Sequence, residues 1–431
     1  MLWIKIRHNS ANIEASGERA VRQLIRNISI FDGTGSAPAP SAVLIDGDRI
    51  AAVLRDDADI VQLSVDTVID GQGGTLMPGM VDSHTHLTWG SSVEKIYHQF
   101  ILPADELKVA AWRNARVLLD HGFTSAYSAG ALGDHIEPEL ARAIAAGETP
   151  GPRLVPSTLE RSPEGEEGVE TGDVFNGRGA QAMRDFVAYC ADQGVRSLKL
   201  VISGEDALKP GSSGDILYTD EEMQAAGEAA RQAGLWIATH AYSPRAIQLA
   251  LEAGARILYH CSFADEAAID AMVAHKDRIF YAPGPGVSVA ALEATPPPHI
   301  NMASMKASAA ERLELEAKLV PELKRRGVRV LIGGDYGFPF NPNGRNARDL
   351  EHFVTRFGFT PAEALSAATM LGGQLMGLDV GQVKAGYLAD LLLVDGDPTQ
   401  DVTILQDASR IRMIMQGGKL HKAPVTEPVT A

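Results

Sequence analysis

Residues 231–260, RQAGLWIATHAYSPRAIQLALEAGARILYH, hold one repeating unit of the chain in a single stretch. An apolar strand, LWIATH, ends in His240. A helical segment, SPRAIQLALEAG, follows, and a second apolar strand, ARILYH, ends in His260. Each strand is entered from a helix through a glycine, Gly234 or Gly254, the residue that most readily takes the left-handed backbone of a helix C-cap. The same junction recurs around Gly327 in KRRGVRVL. Followed along the chain, this alternation predicts strands over 78–84, 122–127, 153–157, 196–201, 235–240, 255–260, 278–283 and 328–335. Thr360-Pro361-Ala362-Glu363 predicts a capping box with proline at the first helical position. Eight strands alternating with helices specify an α/β protein, a (β/α)8 TIM barrel over 77–379. A doubly wound open sheet competes, but no glycine-rich phosphate loop follows the first strand.

Both ends of the chain have another texture. VRQLIRNISIFDG, SAVLIDGDRIAAVL and TVIDGQGGTLMPG are β-branched runs broken by Asp-Gly and Gly-Gly, and VGQVKAGYLADLLLVDGDP and SRIRMIMQGGKLHK match them. They predict a small β-sandwich domain built from 21–76 plus 380–425, with residues 1–20 an N-terminal extension outside the fold.

The bulk numbers narrow the function. At 431 residues, 45% hydrophobic and 22% charged, the composition is globular and the chain too long for one small domain. A formal net charge of −16 argues against nucleic acid or an anionic membrane as partner. Two cysteines, Cys190 and Cys261, suggest no disulfide framework. The N-terminus lacks an apolar core of signal-peptide length, and no apolar run approaches ~18 residues. The expectation is a soluble, cytoplasmic protein acting on a small molecule, with assembly into a homo-oligomer left open.

A barrel carries its reactive side chains at the C-terminal ends of its strands. Those positions hold His84 and His86, Lys199, His240, His260 and Asp335. In an extended strand His84 and His86 share a face while Thr85 turns away, and two converging imidazoles are half a zinc site. Taken alone, such a pair could equally face solvent. Lys199, inside LKLV, could snorkel to the strand edge or pair with Glu205 or Asp206. Alternatively, desolvation could leave its amine neutral and able to react with carbon dioxide, giving a carbamate with two oxygens to bridge two metal ions. Asp335, in IGGDYG, could cap a turn, or bind a metal and hold the proton of an attacking water. Tyr242, two residues beyond His240, could donate to a carbonyl oxygen, hold a substrate carboxylate, or pack under a loop. Arg345 could clamp a carboxylate or make a surface salt bridge. Cys261 reads as a small buried thiol rather than a nucleophile. LERSPEGEEGVETGDVFNGRG (159–179) reads as a loop over the barrel mouth where substrate is selected, and ATPPPHINMASMKAS (294–308) as a second rim loop.

At residues 77–87, MPGMVDSHTHL resembles the first-strand signature of the metal-dependent amidohydrolase superfamily. Lys199, His240, His260 and Asp335 fall in the order and spacing of that superfamily's fourth-, fifth-, sixth- and eighth-strand ligands, and AGYLADLLLVDGDP resembles its C-terminal return. THAYSPRAI and GGDYGFPFNPNGRNARDLEHFVTRFGFTPAEALSAAT are similar to the prolidase-like, imidazolonepropionase-related and xenobiotic amide- and urea-hydrolase subgroup. The resemblance implies a binuclear centre: His84, His86 and Asp335 on the more buried ion, His240 and His260 on the second, with Lys199 carboxylated by CO2 and a hydroxide between two divalent ions, Zn2+ foremost. It also implies hydrolysis of a C–N bond in an amide, peptide or carbamate, such as an N-acyl amino acid, dipeptide or aryl amide, with Asp335 moving the proton.

Two departures line the pocket. Ala126-Tyr127-Ser128 stands where relatives often carry Arg-Asp, and His260-Cys261-Ser262 where a glycine is common, so no relative's substrate carries over. The alternatives are a mononuclear deaminase or cyclic-imidate hydrolase on the same barrel, a non-catalytic barrel, and a phosphotriesterase-like esterase. The first usually lacks the lysine and places a Glu soon after the fifth-strand histidine, where this chain has Ala-Tyr-Ser-Pro.

Overall fold

The structure is a computed structural model, and it describes residues 21–55, 63–93, 102–133, 135–162, 177–206, 209 and 211–424. Four strands open the chain: β1 (Arg22–Ile30), β2 (Ala39–Asp46), β3 (Arg49–Leu54) and β4 (Thr67–Pro78). The parallel strands follow: β5 (Met80–Thr85), β6 (Phe123–Ser128), β7 (Arg153–Val155), β8 (Ser197–Val201), β9 (Trp236–Ala241), β10 (Ile257–His260), β11 (Phe280–Ala282) and β12 (Arg329–Val330). Three more end it: β13 (Leu391–Val394), β14 (Ile411–Gln416) and β15 (Lys419–Lys422).

The middle strands form two parallel arcs, β5-β6-β7 and β8 through β12, with consecutive strands as neighbours. Single parallel bridges join the arcs at both seams. Arg161, beyond β7, pairs with Leu200 of β8, and Thr85 of β5 pairs with Tyr336, beyond β12. Helices between the strands bury one face each; Pro244–Ala253 buries Ala246, Ile247, Leu249 and Ala250. Burial of each such large aliphatic chain contributes about 1.5–3 kcal/mol. Gly234 and Gly254 end their helices in the left-handed region, with φ of 70° and 83°. Thr360 and Glu363 form the capping box, with Pro361 opening the helix.

A strand occurs near each of the eight expected positions, but the last departs from its expected length. Instead of 328–335 it covers only Arg329–Val330. Beyond Leu331, whose N–H still donates to the Tyr281 carbonyl at 2.8 Å, side chains take several of the groups that a ladder would use. Ser83 donates its hydroxyl to the Ile332 carbonyl, Gly333 N–H donates to Asp349 Oδ2 at 3.0 Å, and Asn341 donates to the Gly334 and Asp335 carbonyls at 2.9 and 2.8 Å. A Cβ on Gly333 would stand 2.7 Å from Cβ of His84, so only glycine lets the last strand pass this close to the first.

The chain ends meet as expected, but not as a two-sheet sandwich. They build one mixed sheet ordered β15-β14-β13-β4-β1-β2-β3, in which β1 and β4 are parallel. The sheet curls. Ile50 of β3 donates to the Tyr387 carbonyl at 2.9 Å and Ala389 donates to Asp48 at 2.8 Å, so one edge reaches the segment leading into β13. The curl encloses its own core of Ile25, Val43, Ile69, Leu76, Leu391 and Met413. Pro78, at the end of β4, pairs with Leu391, and Gly79 alone separates it from β5. The sheet thereby anchors the strand that carries the HTH motif.

Within the expected 294–308 rim loop, the helix Ala303–Arg325 already begins. Residues 1–20 and most of the 159–179 loop lie outside the described residues. No helix among the described residues is long and apolar enough to cross a membrane.

Candidate metal centre

Strand β5 is buried along its whole length and His86, one residue beyond it, is buried as well, so both histidines point into protein. The His84 ring stacks on Tyr259 at 3.8 Å, and the Tyr259 hydroxyl donates to the Ser83 carbonyl at 2.8 Å. His86 Nδ1 faces the Gly130 carbonyl at 2.9 Å, which leaves its Nε2 aimed inward. The Nε2 atoms of His84 and His86 both approach Asp335 Oδ1, at 3.2 and 3.0 Å. His260 follows at 5.1 Å from His84, and His240 at 4.6 Å from His260, measured between ring centroids. Three residues here take left-handed backbone without being glycine: His260 at φ 69°, Cys261 at 57° and Asp335 at 61°. Such conformations cost about 1–3 kcal/mol each and persist where the surroundings enforce them. The Tyr281 hydroxyl, donating to the His260 carbonyl at 2.8 Å, is one such constraint.

The electrostatics suit a cation. Burial, then the neighbouring positive groups, holds His84 and His260 well below the usual imidazole range. Burial also lowers His240. For His86, burial is outweighed by the hydrogen bond and charge of Asp335 and by Glu160, and its pKa rises. Neutral imidazoles are the form that ligates. His84 Nε2 and His240 Nε2 are buried without a hydrogen-bond partner, which is unusual unless something else satisfies them. Donor atoms of His84, His86 and Asp335 all lie within 4.8 Å of one another. The residues fit a divalent metal ion.

Lys199 is 2% exposed and points inward, not to the strand edge. Its Nζ donates to the Ala129 carbonyl at 2.8 Å and lies 3.4 Å from Glu160 Oε2, so its carboxylate partner is neither Glu205 nor Asp206. Glu160 also stands 3.6 Å from His86 Nδ1. Its only signal in the sequence is a place shortly after the third strand, in the loop read as a rim.

All six expected ligands, with Tyr242, line one pocket. Tyr242 packs its ring on His260 at 4.8 Å, donates its hydroxyl to Glu205 Oε2 at 2.8 Å and accepts from Arg312 Nη1 at 2.7 Å. Burial pushes its phenol well above the usual tyrosine range. Arg312 and Glu160 are the polar pocket residues that the sequence did not single out. Arg345 is not brought to the pocket. It donates to the Phe340 carbonyl at 3.4 Å and stands 4.0 Å from Glu293, so the carboxylate-clamp expectation gives way to the surface ion pair. Cys261 is fully buried and burial raises its thiol pKa, which fits an inert thiol.

A model of the amidohydrolase family matches residues 75–421. The chain belongs to this family. The amidohydrolase is 26% identical over 443 aligned positions to ochratoxinase of Aspergillus niger, spanning 96% of this chain and 89% of that one. It is 27% identical over 425 positions to imidazolonepropionase of Rubrobacter xylanophilus, spanning 89% and 91%. Among solved structures, a prolidase complexed with N-methylphosphonate-L-proline superposes with a TM-score of 0.81 at 24% identity, covering 94% of this chain and all (100%) of that one. Phenylurea hydrolase B does so with 0.76 at 21%, covering 95% and 99%. These likenesses show a shared fold. The amidohydrolase is a metal-dependent enzyme of this family, and His84, His86 and Asp335 form its candidate metal site.

Proposed function

We propose that this amidohydrolase cleaves the C–N bond of a small amide, peptide or carbamate, such as an N-acyl amino acid, dipeptide or aryl amide, with a binuclear centre. Its scaffold is a (β/α)8 barrel whose two arcs close at the Arg161–Leu200 and Thr85–Tyr336 seams. His84, His86 and Asp335 hold one divalent ion and His240 and His260 the other, both Zn2+, with Lys199 carboxylated by CO2 to bridge them. The observation that carries this is the convergence of six side chains from five strand ends on one pocket, two of them presenting buried atoms that lack a hydrogen-bond partner. The prolidase and phenylurea hydrolase B among proteins of the same fold favour C–N chemistry.

When bound, two such ions acidify a water and polarise the scissile carbonyl. The chain's own residues do the rest. Asp335, fixed by the Asn341 and Asp349 hydrogen bonds around its loop, takes the proton from the attacking water at its carboxylate and delivers it to the leaving nitrogen. Tyr242 keeps its proton and commits it to Glu205, which fixes the pocket wall beside His240 and His260. Trp89 and Phe338, with ring centroids 4.6 Å apart, shield the site from water on the side of His86.

The alternative is a mononuclear deaminase or cyclic-imidate hydrolase. It is favoured by the fact that among the described residues only three donors cluster tightly. Lys199 in the pocket, and the absence of a Glu directly after His240, favour the binuclear centre. A screen of N-acyl amino acids, dipeptides, aryl amides and carbamates beside aminated heterocycles and cyclic imides tests the choice. Turnover confined to the last two classes would overturn the proposal.

A further inference from the structure

Strand β10 ends in a turn that has to be held in place. His260 and Cys261 both take left-handed backbone, at φ 69° and 57°, and among the described residues no other two successive non-glycine residues do so. Glycine adopts such a conformation freely. A residue with a Cβ keeps it only where the surroundings outweigh the strain. Part of the hold comes from the side of β9 and β11. Cys261 N–H donates to the Ala241 carbonyl at 3.0 Å, Phe263 N–H to the Tyr242 carbonyl at 3.2 Å, and the Tyr281 hydroxyl to the His260 carbonyl at 2.8 Å.

The helix Ala303–Arg325 adds one more. Its buried residues Ala309, Leu313, Leu319, Val320 and Leu323 form an apolar stripe at helical spacing, which Glu316 interrupts. Glu316 is 1% exposed and lies outside the pocket lining. Its Oε1 accepts from Ser262 Oγ at 2.7 Å, while Oε2 is buried with no hydrogen-bond partner among the described residues. Arg312, one turn earlier, gives its Nη1 to Glu205 and Tyr242 instead. A carboxyl in an apolar stripe is costly, and the bond to Ser262 is what this one makes in return. That bond lands two residues beyond His260.

We propose that Glu316 is a positioning residue: through Ser262 it holds the left-handed turn at Cys261, and the turn aims the His260 imidazole. The ligand role of His260 rests on the hydrolase proposal above; the hold on the turn does not. Burial raises the Glu316 pKa to about 8, so glutamine, which keeps an acceptor oxygen in the same place, imitates the form that predominates at neutral pH.

Three substitutions probe the hold. Glu316→Met removes the carboxyl at similar volume, Ser262→Ala removes the donor without touching the helix, and Cys261→Gly relieves the strain that both oppose. The first readout is the His260 ring signal in metal-free protein carrying carbon-13 histidine, assigned through His260→Ala. It should shift in Glu316→Met and in Ser262→Ala and stay in place in Glu316→Gln, with the His84 and His86 signals unmoved. Glu316→Met should shift it far less when combined with Cys261→Gly than when made alone. The second readout is Zn2+ titration against a competing chelator. The equivalent that His260→Ala abolishes should bind roughly 10- to 100-fold more weakly in Glu316→Met and recover most of that loss when Cys261→Gly is added. A His260 signal unmoved in either folded variant, Glu316→Met or Ser262→Ala, would overturn the hold. So would an effect of Glu316→Met that is equal with and without Cys261→Gly. A single zinc equivalent in the unaltered protein, with the His260 signal behaving as expected, would support the hold and count against the binuclear centre.

Discussion

Glu160 Oε2 stands 3.4 Å from Lys199 Nζ, while Oε1 of the same carboxylate stands 3.6 Å from His86 Nδ1. One acid from the loop after β7 therefore touches two of the six proposed ligands. A carboxylate beside a ligand imidazole fixes its orientation, and loss of such a partner costs about 10- to 100-fold in metal affinity. Glu160→Gln keeps the shape and removes the charge, so the variant should release metal to a competing chelator that much more readily. Unchanged metal retention would assign Glu160 to substrate contact alone.

Lys199→Ala removes the proposed bridge. The variant should lose activity, bind less than its full complement of metal, and regain part of its activity with short carboxylic acids, which supply the missing carboxylate to the space the side chain leaves. Carbon-13 NMR of the unaltered enzyme equilibrated with labelled bicarbonate should show a carbamate signal that the variant lacks.

Asp349 ties down the loop that carries Asp335, accepting from Gly333 N–H at 3.0 Å and from the Tyr336 hydroxyl at 3.0 Å. Burial, then the nearby Asp82, raises its pKa to about 8. At neutral pH it is largely protonated, and Asp349→Asn should preserve stability and turnover. Asp349→Ala strands both donors and should destabilise the fold by about 1–3 kcal/mol for each, measured by urea unfolding.

Much of the site could be read from sequence because a strand's two-residue period and a helix-to-strand glycine place His84, His86, Lys199, His240 and His260 without tertiary information. Asp335 was legible by its order alone, since its strand as a hydrogen-bonded ladder stops at Val330. Arg312 was not. In AAERLELEAKL it has the neighbours of a solvent-facing arginine, and only packing of that helix beside Tyr242 buries it. Glu160 lacked a periodic context altogether. The terminal sheet shows a third kind of limit: β-branched runs specify strands, but whether they form two sheets or one curled sheet depends on the long-range pairing of β3 with residues 386–389.

Glu137 gives a pH signature. It is fully buried, accepts from Ser157 N–H at 3.0 Å, and burial raises its pKa from 4.5 to about 7. A raised folded-state pKa contributes stability that is full below the unfolded value and is lost as pH climbs through the folded one. Stability should therefore fall between about pH 4.5 and about pH 7 and level off above, with a slope of at most ~1.4 kcal/mol per unit from this group. Glu137→Gln, which mimics the protonated form, should flatten that part of the profile. Parallel profiles for both proteins would contradict the assignment.

The most direct test of the central claim is the metal content of protein purified without chelator, determined together for the unaltered chain, His84→Ala and His260→Ala. Two held ions predict about two equivalents of divalent metal per chain, with His260→Ala losing one of them and His84→Ala failing to hold the buried ion. One equivalent in the unaltered protein, undiminished in His260→Ala, would contradict the binuclear centre.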